Sequence, residues 1–189
     1  MANATEILSK LRFLKLVLEP IGLLGRPSDR RFTIESSASR PGEPFYWSGG
    51  FAIVCRARDE DGRKRALRFF TGRTPPHQTQ ITAFLSQNKH PALVGGQMHR
   101  KALPLKSGED VDMMEMDLVE GETLEDEAAS RINSGRAGEL TDLAEDFRTT
   151  VLGLIDIGFY HGDLSHNNIL VEGGELRLID YDSVFIRGA

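Results

Sequence analysis

The run His161-Gly162-Asp163-Leu164-Ser165-His166-Asn167-Asn168-Ile169-Leu170-Val171, followed by Leu176-Arg177-Leu178-Ile179-Asp180, constrains the fold more than any other part of this chain. Asp163 stands five residues before Asn168. Asn168 opens a short apolar run, and a second apolar run ends in Asp180. Two such runs in succession read as a hairpin of short strands. The order also suits one chemistry, phosphoryl transfer from ATP. One carboxylate orients a hydroxyl nucleophile, while an amide and a second carboxylate hold Mg²⁺ on the phosphates.

The bulk properties set the frame. With 189 residues the chain can bury a real core, as one domain or two closely packed lobes. Its 23 basic and 28 acidic side chains give a net charge of −5, which argues against nucleic acid as a partner, since that needs a basic face. The single Cys55 forms no internal disulfide, so a reducing compartment is expected. No apolar run is long enough for a bilayer, and Lys10, Arg12 and Lys15 interrupt the N-terminus as a signal peptide. The expectation is a cytoplasmic protein with no membrane partner.

Along the chain, Ile7, Leu11, Leu14 and Leu18 fall on one stripe of a helix over residues 4–18, ended by Pro20 and Gly22. Residues 25–44 read as a connector. Phe45–Trp47, Ala52–Ala57 and Arg65–Phe70 read as strands, with Asp59-Glu60-Asp61-Gly62 as a turn. A helix runs from Pro75-Pro76 to about Gln87 with Ile81, Phe84 and Leu85 on one face. Strands at Leu93-Val94 and Val111–Leu118 follow, then a short helix from Thr123. A long helix capped by Thr141 buries Leu143, Phe147, Val151, Leu154 and Ile155.

This order and these motifs resemble the protein-kinase-like superfamily from about Phe45 to Phe185. The resemblance implies an α+β, two-lobed fold. Residues 1–44 would be an N-terminal helix and connector, 45–118 a β-rich N-lobe with one helix, and 119–189 a partial helical C-lobe. It implies Asp163 as the catalytic aspartate, with Asn168 and Asp180 as metal ligands. Trp47-Ser48-Gly49-Gly50-Phe51-Ala52-Ile53-Val54 is similar to the glycine-rich loop, so Gly49, Gly50, Phe51, Ala52 and Val54 are expected at the nucleotide. Ala66-Leu67-Arg68 matches the strand that carries the ATP-binding lysine, with Arg68 in the lysine's place. The plainer alternative for Arg68 is a charge on a solvated strand face. Met116-Asp117-Leu118-Val119-Glu120-Gly121 resembles the hinge. Met116 is then the gatekeeper, and the backbones of Asp117 and Val119 bond the adenine edge.

Several positions depart from the family pattern. Gly162 replaces the arginine that pairs with an activation-loop phosphate. Asp182 replaces the glycine after Asp180-Tyr181. No Glu or Asp lies between Gly72 and Gln87, so Arg68 lacks the helix carboxylate it would pair with. The chain ends nine residues after Asp180, which leaves three readings: a fragment, a minimal kinase fold, or a binding module. Leu152, Leu154, Ile155 and Ile157 are then expected to need a cover. The N-terminal helix, a second copy in a homo-oligomer, or further sequence would supply it. The function implied is an ATP- and Mg²⁺-dependent transfer to a protein hydroxyl. The alternatives are a catalytically dead nucleotide sensor or docking module, and a small-molecule kinase of the aminoglycoside or choline type.

Overall fold

A computed structural model describes residues 32–39, 41, 44–49, 52–70, 73–104 and 110–188. The helix expected over residues 4–18, the first part of the connector, and Gly50 and Phe51 lie outside them. The chain forms two compact units. One holds the described residues up to Pro75 together with Gly96–Leu118, and the other holds Pro76–Gly95 and Val119–Ala189. The class is α+β, with antiparallel ladders in both units. The second division of the chain falls between Leu118 and Val119. The helix near Gln87 groups with the C-terminal unit, where Gln78 donates to Asp182 and the Phe84 ring lies 5.6 Å from that of Phe159.

The first unit is a six-stranded antiparallel sheet. Its strands are β1 (Thr33–Ile34), β2 (Tyr46–Ser48), β3 (Ala52–Arg58), β4 (Lys64–Phe70), β5 (Gly96–Pro104) and β6 (Asp110–Asp117), in the order β1-β3-β4-β6-β5 with β2 also on β3. Since β4 lies along one side of β3, β1 and β2 share the other, pairing with its two ends. Alternation along the strands sorts side chains to two faces. Ile53, Cys55 and Ala57 of β3 lie with Leu67 and Phe69 of β4 and Val111 and Met113 of β6 in one buried cluster, joined by Phe32. Burying each large member contributes roughly 1.5–3 kcal/mol. The expected turn forms as read. Asp59 accepts from the N–H groups of Asp61 (3.0 Å) and Arg63 (2.9 Å) and from Arg65 Nε (2.9 Å).

Two parts of this sheet depart from expectation. The connector at 25–44 contains β1, and Ser36 bridges to Pro44; Phe32 is buried beside them. Strand β5 forms through the polar run Gly96–Lys101, with a register shift between His99 and Leu103. Its His99 is buried, and Nε2 lies 3.0 Å from the Glu115 carboxylate. That partner lets a polar strand enter a core.

The second unit contains α1 (His77–Gln87), β7 (Glu122–Thr123), α2 (Leu124–Asn133), α3 (Leu140–Asp156), β8 (Phe159–Tyr160), β9 (Ile169–Glu172), β10 (Glu175–Leu178) and β11 (Phe185–Ile186). Thr123 caps α2: its hydroxyl accepts from the Asp126 N–H at 3.1 Å and donates to the Asp126 carboxylate at 2.7 Å. Thr141 does not cap α3. A 3₁₀ turn at Ala137–Glu139 feeds directly into the helix, which starts at Leu140 without a side-chain cap. Leu93 forms a single parallel bridge with Leu178 rather than a strand. Leu143 of α3 packs on Ile169, Val171 and Leu176 of the β9–β10 hairpin, and Phe147 closes over them. Of the residues expected to need a cover, Leu154 is buried, Ile155 is half-buried, and Leu152 and Ile157 are exposed. No helix among the described residues is long and apolar enough to cross a membrane.

Candidate functional site

The two loops that carry Asp163 and Asp180 lie side by side because the strands around them are paired twice. Residues 161–168 join β8 to β9, and residues 179–184 join β10 to β11. β9 pairs with β10 and β11 pairs back to β8. Both ends of both loops are therefore fixed. The register Leu178↔Ile169 sets Ile179 opposite Asn168, and the Ile179 N–H donates to the Asn168 carbonyl at 3.0 Å. Asp180 is the next residue. From the other loop, His161 is buried, and its Nε2 lies 2.9 Å from the Ile179 carbonyl, which fixes that nitrogen as the donor. His161 therefore supports the second loop from the core side.

Asn168 ties the first loop to itself. Its side-chain nitrogen donates to the Asp163 carboxylate at 2.9 Å and to the Asp163 carbonyl at 3.0 Å. Both partners only accept, so the amide's orientation is determined, and its oxygen is left for another contact. Asp163 is exposed and Asn168 half-buried.

Gly162 lets the loops meet. It has φ +77°, and a Cβ built there would run into the carbonyl of Ser183 in the second loop. Only glycine combines that backbone with that approach. This gives Gly162 a packing role that the sequence comparison with an arginine position did not suggest.

The second loop is anchored on both sides of Asp180. Tyr181 is buried; its hydroxyl donates to the Leu178 carbonyl (2.7 Å) and accepts from the Val94 N–H (2.8 Å). Burial drives its phenol far above the ordinary range, against the opposing pull of the Val94 N–H and Arg177. Its ring meets those of Phe159 and His161 at 5.8 Å. Asp182 accepts from Gln78 Nε2 at 3.2 Å, and its carbonyl lies 3.2 Å from His77 Nε2. Between these anchors Asp180 takes a left-handed conformation, φ +61°, uncommon for a residue other than glycine.

Asp163, Asn168 and Asp180 thus lie on two adjacent loops of the second unit. Among the described residues no three His, Cys, Asp or Glu side chains form a metal cluster. An amide oxygen and one carboxylate are nonetheless a donor set that suits Mg²⁺, which takes one or two protein ligands and completes its shell with phosphate oxygens and water.

The remaining predicted residues fall on the first unit, apart from Val119, which begins the chain's return to the second. The register puts Val54 opposite Arg68 and Arg68 opposite Met114, and pairs Ala52 with Phe70 and Ala66 with Met116. Ala52, Val54, Ala66, Arg68 and Met116 therefore share one face of the sheet, the face opposite the main cluster. Gly49 closes the β2–β3 turn, its N–H donating to the Ala52 carbonyl at 3.0 Å. Asp117 has the other parity, and its side chain pairs with Arg65. Arg68 is not on a solvated face: it is only 8% exposed, with its guanidinium carbon 5.6 Å from the Phe70 ring centroid.

Sequence reading missed Gln78. Its signal was present, since it precedes Ile81 and Leu85 by three and seven residues. A polar residue on an apolar stripe has a buried partner to satisfy.

A scan against models of known protein families finds no match to this chain, and a comparison with curated proteins finds none either.

Proposed function

We propose that the chain is an ATP- and Mg²⁺-dependent phosphotransferase of the protein-kinase-like type, acting on a hydroxyl. The observation that carries this reading is the arrangement around Asn168. Its side-chain nitrogen holds the Asp163 carboxylate, and its carbonyl holds the Ile179 N–H beside Asp180. In this reading Asp163 orients the acceptor hydroxyl and takes its proton as the oxygen bonds to the terminal phosphorus of ATP. The bond from that phosphorus to the bridging oxygen breaks, and ADP leaves. Asn168 Oδ1 and the Asp180 carboxylate would hold Mg²⁺, which when bound would supply positive charge against the phosphate oxygens. The resemblance also implies nucleotide contacts at Ala52, Val54, Ala66, Arg68 and Met116, which share one face of the first unit's sheet. A serine or threonine of a protein is the acceptor assigned here, on the kinase-like character of residues 47–54 and 116–121.

One observation favours a second reading, a nucleotide sensor without transfer. Helix α1 has no acidic residue in its first turn or anywhere else, where the kinase-like pattern has a glutamate. The test is the melting temperature with and without ATP and Mg²⁺, for the wild type and Asp180→Asn, together with transfer of labelled phosphate. Binding at a hundredfold excess over the dissociation constant stabilises by about 2.7 kcal/mol. The reading requires a shift in the wild type, its loss in Asp180→Asn, and transfer that Asp163→Asn removes. A shift without transfer favours the sensor, and no shift at millimolar nucleotide overturns both.

A further inference from the structure

The geometry points to Gln78, on the first turn of α1, as a positioning residue that holds the Asp180 loop in its cation-binding conformation by way of Asp182. The inference rests on the phosphotransferase reading for what Asp180 binds, a divalent cation on nucleotide phosphates. The latch itself rests on the contacts alone.

Gln78 is 1% exposed. A carboxylate only accepts, so the nitrogen of its amide must face Asp182, at 3.2 Å. The ring of the preceding residue, His77, reaches the Asp182 carbonyl. Two consecutive residues of α1 therefore grip one residue of the loop. The first turn of α1 contains no acidic side chain of its own. Asp182 brings the negative charge that a helix N-terminus favours, from 104 residues away. The Asp182 carboxylate is thus engaged with the helix rather than offered as a third metal ligand.

The consequence falls on Asp180. On one side of it, Ile179 is held through both its N–H and its carbonyl. On the other, Tyr181 is held through its hydroxyl and Asp182 through its side chain and carbonyl. A left-handed aspartate persists only where its neighbours over-determine it. The Gln78–Asp182 bond is the side-chain tether on the C-terminal side that comes from a separate helix, beside the His77 contact with the Asp182 carbonyl. Releasing it frees the backbone to leave φ +61°, and the Asp180 carboxylate moves with that backbone.

The experiment uses the full chain and three variants: Gln78→Leu, Gln78→Glu, and Gln78→Glu combined with Asp182→Asn. The double change reverses the direction of the hydrogen bond with side chains of the same length. Mn²⁺ is titrated in the presence of a non-hydrolysable ATP analogue and followed by electron paramagnetic resonance. Amide hydrogen exchange is read over residues 179–184. Both single variants should weaken Mn²⁺–nucleotide binding about 10- to 100-fold and speed exchange in that segment, and the double variant should restore both. Equal Mn²⁺ affinity in the wild type and Gln78→Glu overturns the positioning role and leaves the functional reading standing. Unchanged exchange over 179–184 in Gln78→Glu overturns the latch whatever binds. A wild type that takes up no Mn²⁺ with nucleotide overturns the functional reading and the cation role with it.

Discussion

Asn168 donates from one amide nitrogen to both the carboxylate and the backbone carbonyl of Asp163, at 2.9 and 3.0 Å. This bond separates two kinds of damage. Asp163→Asn removes the proton acceptor but keeps the metal ligands, so phosphate transfer should fall by roughly 10²–10⁴-fold while ATP and Mg²⁺ still raise the melting temperature. Asn168→Ala removes a ligand and releases Asp163 together, so it should abolish transfer and also the nucleotide-induced shift. Calorimetry with and without ATP and Mg²⁺, run beside a transfer assay, checks the contrast. Loss of the shift in Asp163→Asn would contradict the division of roles.

Gly162→Ala tests how closely the two loops approach. The variant forces a left-handed alanine, costing roughly 1–2 kcal/mol, and drives its Cβ into the Ser183 carbonyl. The sum should exceed about 2 kcal/mol in urea unfolding. A smaller loss would mean that the loops separate easily. Gly135 provides the control: it also has positive φ, but nothing lies within 4 Å of its Cβ position, so Gly135→Ala should cost the backbone term alone.

Tyr181→Phe keeps the ring and removes one oxygen. The Val94 N–H then loses its acceptor in a buried setting, and the Leu178 carbonyl loses a donor. Leaving such groups unsatisfied costs about 1–3 kcal/mol. The same midpoint in urea for both proteins would show that water replaces the hydroxyl.

Why the order of the Asp163 loop and its hairpin could be read from sequence while its support could not follows from distance along the chain. Asp163, Asn168 and Asp180 are placed by a loop and one hairpin, and strand periodicity reports such local order directly. The β3–β4 face was legible for the same reason, since alternation assigns Ala52, Val54, Ala66 and Arg68 to one side once the strands are recognised. What it does not report is burial on that side, so a solvated Arg68 was an open alternative. β1 has only two residues, Thr33–Ile34, and owes its existence to pairing with β3. β5 breaks alternation at its register shift, where Lys101 has φ +54°, and its His99 makes sense only beside Glu115. Gln78 and Asp182 are 104 residues apart, and neither residue type announces the other.

Acid stability should show two separate limbs. His90 accepts from the Ala92 N–H through Nδ1 at 3.2 Å, so the fold needs its neutral form, and burial lowers its pKa. The unfolded chain then binds the extra proton more readily. Stability is complete above the unfolded value near 6.5 and declines as the pH falls below it. Burial alone would raise the pKa of Asp59, but the hydrogen bonds from Arg65 and from the Arg63 and Asp61 backbones outweigh this and lower it. Its contribution is present above about pH 4 and lost below. Urea midpoints from pH 3 to 8 should therefore fall twice, and His90→Asn should flatten only the upper limb. A flat profile between pH 5 and 7 in the wild type would contradict the role of His90.

Cys55 offers an internal probe of the first unit. It lies fully buried between Leu67 on β4 and Tyr46 on β2, and burial raises its thiol pKa to about 12. The thiolate is the reactive form, so the native protein should resist a thiol reagent at pH 8 and react at once when unfolded in urea. The labelling rate at intermediate urea then follows opening of the β3–β4 ladder. Gly162→Ala and Tyr181→Phe act in the second unit. If the two units open separately, neither variant should speed labelling in the absence of urea. If both speed it in proportion to their loss of stability, the chain unfolds as one cooperative whole.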